Sequence, residues 1–401
     1  MRSTRTASFL LLVIVYLAFI SIGLPDGTLG VAWPEMHQSL GLPIGMAGLL
    51  ILVVTLLSAV SSFVSGPIIN RFGTGPVVMV SGFATGLALL IYAQANHFYW
   101  ILLAAAPLGF GAGAVDAGLN GFVARHYSGR HMNWLHACWG IGATGGPLIM
   151  AYAAASAIGW RGGYLIIGLM QLSLALVFVL TLPLWRAVPP RPEVAEESHL
   201  RNPPTLGLRS TAAWLSGAIS VLYVALEATV GLWAGSILVE SRGVGVREAG
   251  QCVTAYYGSI TVGRILVGFA VERTGNRRLV RGGAVLALAG AVIFAVSQHL
   301  AGMAVGLVLV GLGFAPVYPG LIHEVPRRFA PEAVQSVIGR QVSGAYIGMA
   351  SLPPLAGIIA HVSLEAIAHV LIGGIALLIG AVLWLDRLTP PPSADSPSRR
   401  G

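Results

Sequence analysis

Four ionisable side chains stand inside stretches otherwise too apolar to face water: Asp26, Asp116, Glu227 and Arg264. At the centre of a membrane-spanning helix such a group costs roughly 2.5–3.5 kcal/mol on insertion scales, so it faces an aqueous cavity or a partner and is read as functional. A carboxylic acid there takes up and returns protons, and an arginine there must find an anion or carbonyl oxygens. The chemistry implied is proton exchange beside a polar ligand. No metal-ligand cluster, nucleophile motif or phosphate-cradling loop accompanies these residues, so neither an enzyme nor a cofactor is expected. Cys138 and Cys252 lie in apolar runs without redox or ligand spacing and read as free thiols.

Asp26 sits in Gly23-Leu-Pro25-Asp26-Gly27, where proline removes an amide donor and glycine loosens the helix, leaving backbone polar groups toward a cavity. The alternative is a cap near the outer water. Asp116 and Asn120 are four apart and share a helix face, among Gly109, Gly111, Gly113 and Gly118. They form either a proton-exchange site beside a ligand or an interhelical polar clasp. His136 opens the next apolar run and can face Asn120 or Asp116, or lie at the interface. Glu227 is mid-run in the seventh stretch, and Arg264 lies deep in the eighth with Glu227 as candidate partner; a ligand contact and a structural ion pair are both open. Trp139, Gln171, Tyr223, Trp233, Tyr256, Tyr257, Tyr318 and Gln341 are the aromatic and amide groups available to line a cavity, since sugar-like solutes need ring faces and amides. Pro316, Pro319, Pro353 and Pro354 mark expected kinks.

The elements that must position these groups follow from composition. A chain of 401 residues that is 56% hydrophobic and 9% charged cannot be an ordinary soluble domain, which carries roughly 25% charge. Apolar runs of about 20 residues recur throughout, the length a helix needs to cross lipid. The predicted spans are 8–30, 45–69, 76–95, 99–123, 135–157, 163–185, 212–236, 250–272, 279–297, 301–325, 335–360 and 364–386. The fold class is therefore an all-α membrane protein with twelve transmembrane helices. Every basic residue is arginine, concentrated on alternate loops, which puts both termini in the cytoplasm of a bacterial inner membrane. The net charge of +8 is thus a topology signal with a weak preference for anionic lipid, and no nucleic-acid partner is expected. The division predicted is a six-helix half over 1–185, a Pro- and Glu-rich cytoplasmic linker over 186–211, a second half over 212–386 and a disordered tail over 387–401.

The two halves echo one another. Gly66-Pro-Ile-Ile-Asn70-Arg71-Phe-Gly73 follows the second span, and Gly268-Phe-Ala-Val-Glu272-Arg273-Thr-Gly275 follows the eighth. Both resemble the loop motif of the major facilitator superfamily, Gly-x-x-x-Asp-Arg-x-Gly-x-Arg-Arg, the second more closely because it continues into Arg277 and Arg278. Asn70 stands where that family has Asp. Trp160-Arg161 between the fifth and sixth spans fits the same pattern. The resemblance implies two halves related by a pseudo-two-fold axis and a gating role for these loops. Asp in the first span, acid-x-x-x-Asn on the fourth and Glu then Trp on the seventh further resemble the fucose-proton symporter branch and its hexose-transporting relatives. That likeness implies proton uptake at Asp26 and Asp116 and a sugar contact at Asn120. The usual polar residue midway along the fifth span has no clean counterpart among Ala137, Cys138 and Trp139.

The expectation is a monomeric secondary transporter for a small polar solute and a proton, with sodium still open, Asp26, Asp116 and Glu227 carrying the coupling. Proton-driven efflux of drugs or metabolites is the alternative in the same fold, and a transport-inactive membrane sensor the alternative of another class.

Overall fold

A computed structural model describes residues 2–26, 28–43, 46–189, 206–360 and 363–390. Most of the linker and the end of the tail predicted above lie outside these described residues. The first half contains α1 (Arg2–Gly23), α2 (Thr28–Ser39), α3 (Met46–Phe72), α4 (Thr74–Gln94), α5 (Phe98–His126), α6 (Gly129–Ala154) and α7 (Gly159–Ala187). The second contains α8 (Thr211–Ser236), a π-helical extension (Ile237–Ser241), α9 (Val246–Thr274), α10 (Asn276–Val296), α11 (Leu300–Phe314), α12 (Val317–His323), the single turn α13 (Val325–Arg328), α14 (Pro331–Ala360) and α15 (Leu364–Leu388). Helices α1 and α2 make one broken span and α11 and α12 another, the second interrupted at Ala315–Pro316. Twelve spans result. Their lipid-facing surfaces carry bare apolar side chains such as Ile51, Leu56, Leu103, Leu180, Leu266 and Leu377, tolerable only where lipid surrounds them.

Among the described residues ten helices are long and apolar enough to cross a membrane on composition alone. The fifth span (α6) and the eleventh (α14) are absent from that set. Both are polar along one face, with Asn133 and His136 on α6 and Gln335, Ser336, Gln341 and Ser343 on α14 buried inside protein. They fall short of the hydropathy of lipid-facing helices because these faces pack against protein rather than lipid.

Pairing between helices repeats with an offset of six spans. The first packs on the fifth as the seventh packs on the eleventh, the second on the fourth as the eighth on the tenth, and the third on the sixth as the ninth on the twelfth. Between the halves the second span meets the eleventh and the fifth meets the eighth, contacts that a two-fold operation exchanges. The loops of the repeated motif agree in detail. Gly73 (φ 83°) and Gly275 (φ 82°) each end one span and admit the next, in a left-handed conformation that a side chain would strain.

The bundle is pinned at both ends. Away from the termini, Glu35 accepts from the Trp160 amide at 3.1 Å, Trp160 Nε1 donates to Ser39 at 3.1 Å, and Arg161 donates to the Ala95 carbonyl at 3.0 Å, tying spans one, three and six. Arg242 does the same for spans seven, nine and twelve, gripping both Glu365 oxygens (2.8 and 2.7 Å) and the Phe294 carbonyl (2.6 Å). At the termini end, buried Arg328 donates to Asp386 at 2.7 Å, and Arg277 to Glu324 at 3.0 Å.

Candidate transport site

The break between α1 and α2 is held by local bonds: the Asp26 amide donates to the Gly23 carbonyl at 3.1 Å, and Thr28 Oγ1 to the Pro25 carbonyl at 2.7 Å. Proline supplies no amide at this turn, so the helix ends and restarts. Glycine on α6 lets the broken chain lie close. A methyl group at Gly142 would collide with the Ile20 carbonyl, and one at Gly146 with that of Leu24. This approach puts Trp139 Nε1 2.9 Å from Asp26 Oδ2. The Asp26 side chain is exposed where α1 breaks, facing Trp139 of α6 rather than packed among neighbours. Gly142→Ala is accordingly expected to lower stability by about 1–3 kcal/mol, the usual range for overpacking. Thermal unfolding in detergent reads this directly, and an unchanged transition would show that α1 can retreat freely.

On α5 the Asp116–Asn120 pair closes on itself. Asn120 Nδ2 donates to Asp116 Oδ1 at 2.7 Å and to the Asp116 carbonyl at 3.0 Å. The other carboxylate oxygen receives Tyr346 from α14, at 3.4 Å, across the boundary between halves. Asn120, with no exposed surface, meets His136 Nε2 through its oxygen at 3.0 Å. Asp116 and Asp26 are near enough for their charges to interact.

From His136 an aromatic run leads into the second half. The imidazole stands edge-on to Phe19 (5.4 Å between centroids) and to Tyr318 (5.3 Å), and Tyr318 stacks on Tyr223 at 5.9 Å and 9°. Tyr223 donates to Glu227, one turn along α8. Arg264 of α9 pairs with the same carboxylate at 3.6 Å, and Tyr256 donates to the Glu227 carbonyl at 2.9 Å. Two donors in this cluster are buried and lack any hydrogen-bond partner: Arg264 Nε and the Tyr318 hydroxyl. A dry orphan donor costs about 1–3 kcal/mol, and groups left this way ask for an acceptor from outside the chain.

Asp26, Asp116, Asn120, His136, Trp139, Tyr223, Glu227, Tyr256 and Arg264 are thus brought into one region by five different spans. Other sequence candidates lie elsewhere. Gln341 is fully buried and donates to Ser216, clasping the seventh and eleventh spans. Trp233 donates to the Pro353 carbonyl at 2.9 Å, and Tyr257 is half exposed with its hydroxyl against Gly231. Gln171 exchanges bonds with Ser21, holding the first span on the sixth just before the break. Tyr346 and Phe19 were not among the sequence candidates, because nothing in their local pattern separates them from packing aromatics.

Contacts across the halves gather at the termini end. Gln335 donates to the Ala117 carbonyl at 2.8 Å and accepts from Arg125 at 2.9 Å, and His323 Nε2 meets the Tyr127 carbonyl at 3.1 Å. Trp134 Nε1 reaches the Ile265 carbonyl at 3.5 Å and packs beside Gly268. Of the loop motif, Glu272 receives Ser128 (2.8 Å) and Arg130 (2.9 Å), Asn70 reaches the Glu332 carbonyl at 3.4 Å, and Gly66 backs onto Ser336. Arg71 lies over the Phe72 ring, and Arg273 is exposed. The halves are therefore closed together at this end.

The profile of the Major Facilitator Superfamily matches twice, over residues 15–233 and 215–401. The chain belongs to the major facilitator superfamily. Like this facilitator chain, an uncharacterized MFS-type transporter of Yersinia pestis has related sequence, 24% identical over 366 residues that cover 90% of this chain and 91% of that protein. Two solved structures share the facilitator fold. The human organic anion transporter MFSD10 (TETRAN) superimposes with a TM-score of 0.72 at 16% identity, covering 92% of this chain and 98% of its own. FucP of E. coli, a fucose:proton symporter, superimposes in its outward conformation with a TM-score of 0.75 at 14% identity, covering 94% and 99%. At these identities the likeness speaks for the fold, and the facilitator family makes this chain a transporter rather than an enzyme.

Proposed function

We propose that this facilitator is a proton-coupled symporter of a sugar or similar small polar solute, working by alternating access between its two halves. The observation that carries this reading is the pairing of opposite surfaces at one site. Exposed or half-exposed carboxylates, Asp26 and Asp116, belong to the first half. Unpartnered donors, Arg264 Nε and the Tyr318 hydroxyl, belong to the second. A polyhydroxyl solute both donates to the former and accepts from the latter, and half-exposed Trp139 offers a ring face to its C–H surface. Asp26 and Asp116 are assigned the coupling proton, with Glu227 held against Arg264 as the second half's contribution. Asn120, His136, Trp139, Tyr223, Tyr256 and Arg264 are assigned to solute contact or its support.

With both termini on the cytoplasmic side of a bacterial inner membrane, as the arginine distribution argues, closure at the termini end makes this the outward-facing state. The two motif loops, bonded across the halves there, are assigned the gate, and the division into a six-span half, a cytoplasmic linker and a second half is the frame that rocks. The test is uptake of labelled monosaccharides into proteoliposomes with an acid exterior. Accumulation that collapses with a protonophore supports symport. Failure of every sugar, with expulsion of a lipophilic cation instead, would assign the chain to proton-driven efflux; accumulation driven by sodium alone would replace the proton.

A further inference from the structure

His136 carries a function that its contacts define more narrowly than solute binding. Asn120 turns its NH₂ toward Asp116, where two acceptors wait: Oδ1 at 2.7 Å and the main-chain oxygen at 3.0 Å. Its own oxygen is then the atom facing His136 Nε2 at 3.0 Å. An amide oxygen only accepts, so Nε2 must carry hydrogen. The ring is wedged between Phe19 and Tyr318 and lies near the guanidinium of Arg264, so its neighbours are two aromatic rings, an amide oxygen and a cation. The geometry points to His136 as a positioning residue: held as the neutral Nε2–H tautomer, it locks the Asn120 amide so that Asp116 Oδ1 remains an acceptor and the incoming proton lands on Oδ2.

The consequence follows from what each oxygen faces. Oδ1 is committed within the first half. Oδ2 faces Tyr346 of the second half at 3.4 Å, with Asp26 and Tyr318 as the other titratable groups near the carboxylate. When chamber water delivers a proton to Oδ2, that oxygen changes from acceptor to donor, and the Tyr346 hydroxyl must turn its hydrogen away and receive instead. No proton leaves or joins the imidazole. Without the lock, the Asn120 amide is held from the Asp116 side alone, and a proton arriving on Oδ1 would be felt within α5 and not across the boundary. This inference rests on Asp116 being a proton-exchanging acid, the reading given above, but not on the identity of the solute.

The experiment uses the full chain in lipid vesicles, labelled with ¹⁵N-histidine, with the His136 signals identified by their loss in His136→Gln. The expected spectrum shows one protonated and one bare ring nitrogen, assigned to Nε2–H, unchanged between pH 5.5 and 8. An Nδ1–H tautomer, or an imidazolium at either pH, overturns the inference. In a second arm, the infrared band of the protonated Asp116 carboxyl, identified by its loss in Asp116→Asn, is titrated. His136→Gln, whose amide still donates, is expected to leave the midpoint in place, while His136→Leu raises it by about one pH unit, because an Asn120 amide no longer held from behind donates less well to the carboxylate. Equal movement in both variants, or in neither, overturns the assignment. Neither arm contains solute or gradient, so a failure of symport in the uptake assay would leave these outcomes interpretable.

Discussion

Replacing Asp116 by asparagine is expected to abolish gradient-driven accumulation while exchange of solute across the membrane continues. Asparagine keeps the shape of the acid, still offers an oxygen to Asn120 Nδ2 and still meets Tyr346, so the network around α5 survives. What it cannot do is bind and release a proton. Each pH unit of gradient is worth about 1.4 kcal/mol, or tenfold in accumulation, and the variant forfeits that factor for every unit imposed. Labelled solute in proteoliposomes should therefore equilibrate at equal concentrations inside and out, with counterflow near the wild-type rate. Full accumulation by Asp116→Asn would remove this residue from the coupling role and leave Asp26 to carry it.

The second large effect is expected at Arg264. Its guanidinium and the Glu227 carboxylate pair at 3.6 Å with only 6% and 17% of their side chains exposed. Taking one member of such a pair away strands a charge in a poor solvent for it, at a cost of about 3–5 kcal/mol. Arg264→Met should accordingly lose much of its thermal stability in detergent, and expression should fall with it. Arg264→Met combined with Glu227→Gln should regain most of that loss, since no unpaired charge is left, yet remain unable to accumulate solute. A single variant as stable as the wild type would mean that water already neutralises the pair and that its attraction contributes little.

How far these arrangements can be seen in the chain before folding depends on distance along it. Asp116 and Asn120 declare themselves because four residues bring them round one turn, and His136 follows because the fourth and fifth spans are antiparallel neighbours joined by a short turn. The contact of Trp139 with Asp26 spans 113 residues and that of Tyr346 with Asp116 spans 230, and no periodicity within one helix reports on either. Gln341 shows the reverse failure. Its polarity in an apolar run resembles that of Asn120, but its NH₂ is bonded to Ser216 on the seventh span, and composition cannot distinguish a clasp from a lining group. The twelve-span fold was legible for a different reason. Ten helices are apolar enough to cross lipid on hydropathy alone, and the remaining two, α6 and α14, still read as apolar runs of about 20 residues, while arginine on alternate loops requires an even number of spans. Glutamine, histidine and asparagine dilute those two spans because they lie where protein meets protein.

That meeting surface has an uneven tolerance to mutation. Gln335, His323 and Trp134 each reach over to a peptide oxygen, at Ala117, Tyr127 and Ile265. A peptide oxygen persists whatever residue bears it, so drift at 117, 127 or 265 can pass without loosening the joint, while the same drift at 335, 323 or 134 deletes a bond outright. At these three contacts closure is thus written into one partner only, and homologous chains should vary freely on the accepting side long before they vary on the donating one.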